Sequence, residues 1–181
     1  MSLLRDEDGE YVVRAESLHL INSRCLAEGI NIPRWPEYLA ELRKSLARGI
    51  GWIQVVEPYL LIQSDAGRDL EALRIWWERY QAAMASMNKN VRIGRDLGRL
   101  LIQAGFDRVR VETKRVPIGR WKAGQEDMGL RNLRMVDKAL DNLARYPFLV
   151  ILRMPEPVYN TLIARARAEL QRSELRLYYD L

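Results

Sequence analysis

The order in which two hydrophobic periodicities alternate along this chain is its strongest constraint on fold. Residues 17–24, SLHLINSR, are a short apolar run closing in polar residues, which predicts a buried strand of a parallel sheet. Pro33 and Pro36 then bracket a helix start, and Tyr38, Leu39, Leu42 and Leu46 recur at helical spacing until Gly49 and Gly51 stop it. In GWIQVVEPYLLI, the residues Trp52, Ile53, Val55, Val56, Tyr59, Leu60 and Ile62 make a second strand-like stretch, broken at Pro58. Strand, helix, turn and strand in that order predict an α/β fold, a sheet flanked by helices.

The pattern continues downstream. Asp69 is a fair N-cap for a helix over 70–88 that carries Leu73, Trp76, Trp77, Tyr80, Met84 and Met87 on one side. Residues 91–104 repeat helical spacing with Ile93, Leu97, Leu100, Leu101 and Ala104, and Gly105 is placed to end that helix. In DRVRVETKRV, Val109 and Val111 alternate with Arg108, Arg110 and Glu112, the period of a strand exposed on one face. Leu130, Leu133, Val136, Leu140 and Leu143 mark another helix, and FLVILRM after Pro147 fits either a strand or a buried helix. The last helix runs from Pro157 through Leu170, and RLYYDL has the alternation of a final short strand. With 181 residues, 48% of them hydrophobic, one domain spanning 1–181 is the expectation.

Several function classes are disfavoured. No apolar run approaches the 18 or so residues that span a bilayer. Acids in MSLLRDEDGEYVVRAE stand where an export signal needs a basic start and an apolar stretch, so a cytoplasmic location is expected. Cys25 and His19, each the only residue of its kind, do not make up a Cys/His zinc site, and no metal is expected, though carboxylate sites remain open. The net charge of +5 raises the question of nucleic acid, but the cations are scattered: Arg43, Lys44 and Arg48 on one helix, Arg165, Arg167 and Arg172 on another. They read as solvated helix faces, with neither nucleic acid nor membrane as a partner.

One set of short blocks carries a resemblance. LINSRCL, a helix and then GWIQVVE are similar to a pattern in which a strand ends in Val-His-x-Arg and a later one opens with Gly-Gly-Trp. Gly94-Arg95-Asp96 precedes an apolar helix that Gly105-Phe106 ends. Pro117-Ile118-Gly119-Arg120-Trp121, followed by Gly129 and Asn132, looks like Pro-Ile-Gly-x-Trp and Gly-x-x-Asn. In this order, over about residues 17–180, the blocks resemble the C-terminal part of the LaeA-like methyltransferases of fungal secondary metabolism. The resemblance implies a truncated Rossmann-like methyltransferase fold whose N-terminal cofactor half is absent. In such enzymes a glycine-rich turn after the first strand approaches S-adenosylmethionine, and an acid after the second holds its ribose. No Gly-x-Gly-x-Gly follows any predicted strand here, so no cofactor is expected. His19 and Asn22 also stand where the family usually has Asp and His, and Arg48-Gly49-Ile50-Gly51 replaces a Pro-Gly-Gly turn.

Candidate site residues follow from position. Asn22 and Arg24 come just after a predicted strand end, where ligands of open α/β sheets bind. Trp52, Tyr59, Trp76, Trp77, Tyr80 and Trp121 suit the walls of an apolar pocket, and two adjacent tryptophans on one helix cannot face the same way. One of them is expected to face a cavity or another surface. His19, Glu57 and Arg95 are the candidate acid, base and charge-stabilising groups. Their plainer readings are a satisfied buried histidine, an exposed turn carboxylate and an ion pair of Arg95 with Asp96. Three functions compete. The first is an enzyme independent of S-adenosylmethionine that catalyses cyclisation, a pericyclic step or isomerisation of an apolar natural-product intermediate. The others are a methyltransferase completed by another chain and a non-catalytic regulatory partner. A homodimer is expected, because a partial sheet leaves apolar surface and an unpaired edge to cover.

Overall fold

A computed structural model describes residues 15–181, so the export-signal reading of the N-terminus lies largely outside the described residues. In chain order the elements are β1 (Leu20–Arg24), α1 (Trp35–Ser45), β2 (Trp52–Val56), β3 (Tyr59–Ser64), α2 (Glu71–Ser86), α3 (Leu97–Gln103), β4 (Arg115–Pro117), α4 (Glu126–Asn142), α5 (Glu156–Leu170) and β5 (Leu177–Asp180). The class is mixed α/β. The strands form two small sheets, one parallel and one antiparallel, where a single partial sheet was expected. The chain divides into two compact units, Met1–Glu57 with Lys89–Glu112, and Pro58–Asn88 with Thr113–Leu181.

In the first unit β1 and β2 pair in parallel, Leu20 opposite Trp52, Asn22 opposite Gln54 and Arg24 opposite Val56. The crossover is α1, which Pro36 enters within its first turn, where a missing N–H costs nothing. Its buried residues Trp35, Tyr38, Leu39 and Leu42 form a core with Ile93, Leu97 and Leu100, and Ile21, Ile53 and Val55 pack onto it from the strands. Because strand side chains alternate, the same register turns Leu20 and Trp52 outward, 64% and 66% exposed. The strand expected to be buried is thus buried on one face. Gly105 ends α3 as predicted, at φ +87, and Phe106 N–H reaches back to the Leu101 carbonyl.

The predicted strand over DRVRVETKRV shrinks to Arg115–Pro117. Arg108 sits at φ +51, which breaks an extended path, and β5 offers partners only from Arg115 onward, with Lys114 and Leu181 closing the ladder.

In the second unit β5 is the middle strand of the order β3-β5-β4, antiparallel to both neighbours. Leu177, Tyr178 and Tyr179 are all buried, as a central strand requires. The ambiguous segment after Pro147 is helical, one wide turn over Pro147–Ile151 with Leu152 N–H bonded to the Pro147 carbonyl. Asp69 does not cap α2. Leu70 holds the N-cap position without a side-chain bond, and Glu169 of α5 accepts from Ala72 N–H and Leu73 N–H, both at 3.0 Å. The two motifs around Gly119 and Gly129 interlock. A Cβ on Gly129 would lie 1.8 Å from the Gly119 carbonyl oxygen, and Asn132 Nδ2 donates to the Pro117 carbonyl at 2.8 Å.

Candidate functional site

A cluster of polar groups lies along the outer face of the parallel pair. Period-two alternation puts Leu20, Asn22 and Arg24 on the outer face of β1, and the parallel register sets Trp52 and Gln54 beside the first two. Arg24 Nε donates to Asn22 Oδ1 at 2.8 Å and its Nη2 donates to Gln54 Oε1 at 3.2 Å. Sequence reasoning missed Gln54. It stands in an apolar strand, and only the pairing register reveals it as the partner of Asn22.

Beneath this face lies a buried polar layer. Ser23 Oγ and Tyr38 OH share a hydrogen bond of 2.9 Å. Cys25, at φ +55, turns the chain, and its N–H donates to the Val56 carbonyl at 3.0 Å. The next two amides, Leu26 N–H and Ala27 N–H, then donate to Glu57 Oε1 and Oε2 at 2.8 and 3.0 Å. Glu57 is buried, which corrects its reading as an exposed turn carboxylate. Burial pushes its pKa up, the two amides pull it down, and the charge of Glu28 adds to the rise. With each oxygen engaged by main chain, Glu57 holds the loop after β1 in place. Gly94 keeps the ceiling low, since a Cβ there would sit 3.3 Å from the Glu57 carbonyl oxygen.

The remaining candidates separate by place. His19 is exposed, which corrects its reading as a buried histidine, and it precedes the amino end of β1 while its carbonyl accepts Trp52 N–H at 2.9 Å. The far end of a five-residue strand is roughly 16 Å away. Arg95 is exposed in the turn before α3, and Asp96 makes its ion pair with Arg99, at 3.4 Å.

Tyr59, Trp76, Trp77 and Tyr80 come together inside the second unit. Trp76 stacks on Tyr80 with ring centroids 5.0 Å apart, and its indole N–H donates to the Leu140 carbonyl at 2.8 Å. Trp77 meets Tyr59 edge-on at 5.3 Å. Both tryptophans are buried, so neither faces solvent, because β3, α5 and the turn at Pro147–Ile151 all pack against α2. Trp121 anchors its loop by donating to the Leu177 carbonyl at 2.8 Å. A second group escaped sequence reading altogether. The buried Tyr159 donates its hydroxyl to the Asp141 carboxylate, and Arg145 lies both over the Tyr159 ring and within 3.3 Å of Asp141. Its members lie on α4, α5 and the loop between them, so no local pattern announces it.

No family profile matches the chain. The methyltransferase cpsF of Aspergillus campestris is 25% identical to it over 114 residues, 62% of this chain and 39% of that relative. The likeness is to a methyltransferase. It does not single out the LaeA-like group, and the aligned part of the chain spans only 39% of the length of the curated relative it matches. Among the described residues no helix is long and apolar enough to cross a membrane, and no three His, Cys, Asp or Glu side chains are grouped to hold a metal ion.

Proposed function

We propose that the chain is a methyltransferase-derived protein with a Rossmann-like fold that works without S-adenosylmethionine on an apolar natural-product intermediate. The observation that carries this reading is the outer face of the parallel pair. An exposed Leu20–Trp52 platform leads, along both strands, to the Asn22–Gln54 row and the Arg24 guanidinium at their carboxyl end. Ligands of α/β sheets lie at that end of the strands, and a flat aromatic platform beside a few fixed donors suits an apolar ring system. Cyclisation, pericyclic steps and isomerisation need a substrate held near its reactive shape with donors where negative charge develops, and Arg24 is such a donor. None of these steps consumes a methyl donor or a redox cofactor, and the sequence contains no Gly-x-Gly-x-Gly.

A second reading, a methyltransferase completed by another polypeptide, draws on the 39% share of the relative that this chain matches. Titration calorimetry with S-adenosylmethionine separates the two. The first reading expects no binding by the chain alone, and micromolar binding would sink it; binding that needs a second polypeptide would establish the other. The proposed assembly is a homodimer, since the outer strand edges left unpaired among the described residues call for a cover.

A further inference from the structure

We infer that the ligand of the β1–β2 face is an apolar carboxylic acid, its hydrocarbon part on Leu20 and Trp52 and its carboxylate on Arg24. The inference rests on the proposed reading and narrows it from an apolar small molecule to an acid.

Arg24 is held without being neutralised. Its hydrogen bonds run to two amide oxygens, those of Asn22 and Gln54, and it makes no ion pair with a carboxylate among the described residues. A guanidinium has five N–H donors; these bonds use one on Nε and one on Nη2. Both N–H bonds of Nη1 and the second on Nη2 are left, a fork that matches the two oxygens of a carboxylate. The two amides fix the side chain beforehand, so a ligand meets a positioned cation and less ordering entropy is lost on binding. A solvated lysine-like charge would offer neither the geometry nor the fixed position.

The spacing sets the length of the ligand. Leu20 and Trp52 are register partners, and Arg24 lies four residues further along the same strand, on the same face. That is roughly 13 Å of strand, with the Asn22–Gln54 row between. A fused ring system or a medium-length acyl chain with a terminal carboxylate spans it.

Charge favours one negative charge over two. The outward residues of this face, Leu20, Asn22, Arg24, Trp52 and Gln54, include a single cation. Glu57 and Glu28 lie close behind: burial first, and then these two acids, push the Cys25 thiol upward, with Arg24 acting against them. A phosphate dianion would meet that acidic background with one guanidinium to offset it.

The test uses the full chain and a matched pair of probes, 2-naphthoate and 2-naphthamide, which share a ring system and differ in charge. Nuclear magnetic resonance follows the Trp52 indole N–H and the Arg24 Nε–H during titration, with Trp52→Phe and Arg24→Gln assigning the signals. The expected result is that naphthoate shifts both signals and binds about tenfold more tightly than the amide. Arg24→Gln should bring naphthoate down to the level of the amide, while Arg24→Lys should recover only part of the difference. Equal binding of acid and amide at Trp52, unaffected by Arg24→Gln, would overturn the acid and leave the apolar site standing. Perturbation of Arg24 without Trp52 would also overturn it, as a bare anion contact. If neither probe moves Trp52, the acid and the site beneath it both fall.

Discussion

Tyr159 and Asp141 form a hydrogen-bonded pair in the second unit, and the two partners respond to acid and to alkali in opposite senses. The Tyr159 hydroxyl, well sheltered, donates to the Asp141 carboxylate, and that bond, with Arg145 alongside, holds Asp141 below its ordinary 3.8. The folded carboxyl releases its proton more readily than the unfolded one, so the stabilisation is present above the ordinary value and is lost as pH falls through the depressed one. Burial, then Asp141, pushes Tyr159 above its ordinary 10.0, so the phenol keeps its proton past that point and its share is lost only as pH rises further. Tyr159→Phe should therefore cost about 1.5–3 kcal/mol at neutral pH, a hydrogen bond to a charged group. In thermal melts recorded from pH 7 downward, the gap between wild type and variant should close below pH 4 or so, as the carboxylate protonates. A gap that stays constant into acid would mean the hydroxyl acts by packing alone.

At the scale of elements, helix α2 is started by a residue nearly a hundred positions away. Glu169 accepts from the first free amides of α2, at 3.0 Å each, whereas Asp69 accepts from the adjacent Leu70 N–H and pairs with Arg74 at 3.9 Å, outside the helix's first free amides. Glu169→Ala should lower stability by about 1–2 kcal/mol, the cost of losing a cap, and Asp69→Ala by a few tenths. Urea unfolding of the two variants checks it, and equal losses would return the cap to Asp69. The same residues mark what sequence could tell. Helices were legible because apolar spacing is a property of each one alone, as in Tyr38, Leu39 and Leu42 of α1 or Val136 and Leu140 of α4. Caps and strands were less so, because their partners lie elsewhere. Val109 and Val111 alternate as a strand should but have no strand to pair with among the described residues, while RLYYDL read as a strand without revealing that two others flank it. In the candidate site, Asn22 and Arg24 were expected just past a strand end, whereas both lie within β1, Asn22 at its middle; Gln54 and the buried state of Glu57 depended on register and on a loop folding back.

For the whole molecule, the outer strand edges left unpaired among the described residues lead us to expect a homodimer. An interface that covers them should bury on the order of 2,000 Å² in total. Light scattering at micromolar concentration should then give twice 21.1 kDa. A stable species of single-chain mass in wild type would end the proposal of a dimer. It would leave the ligand assignment untouched, because the probes report on Trp52 and Arg24 directly.

The central place of β5 also has a consequence for synthesis. Neither β3 nor β4 pairs with the other; both bond only to β5, and Gln63 must find Tyr178 across 115 residues. At about 5–20 residues per second, a ribosome leaves β3 without its partner for roughly 6–23 s after it is made. During that interval the apolar Leu60, Leu61 and Ile62 face whatever else is near, whereas β1 and β2, joined through α1, are paired within a far shorter stretch of chain. The protein is thus built with one unit whose strands can pair early and another that has to be kept from the wrong company until late in translation.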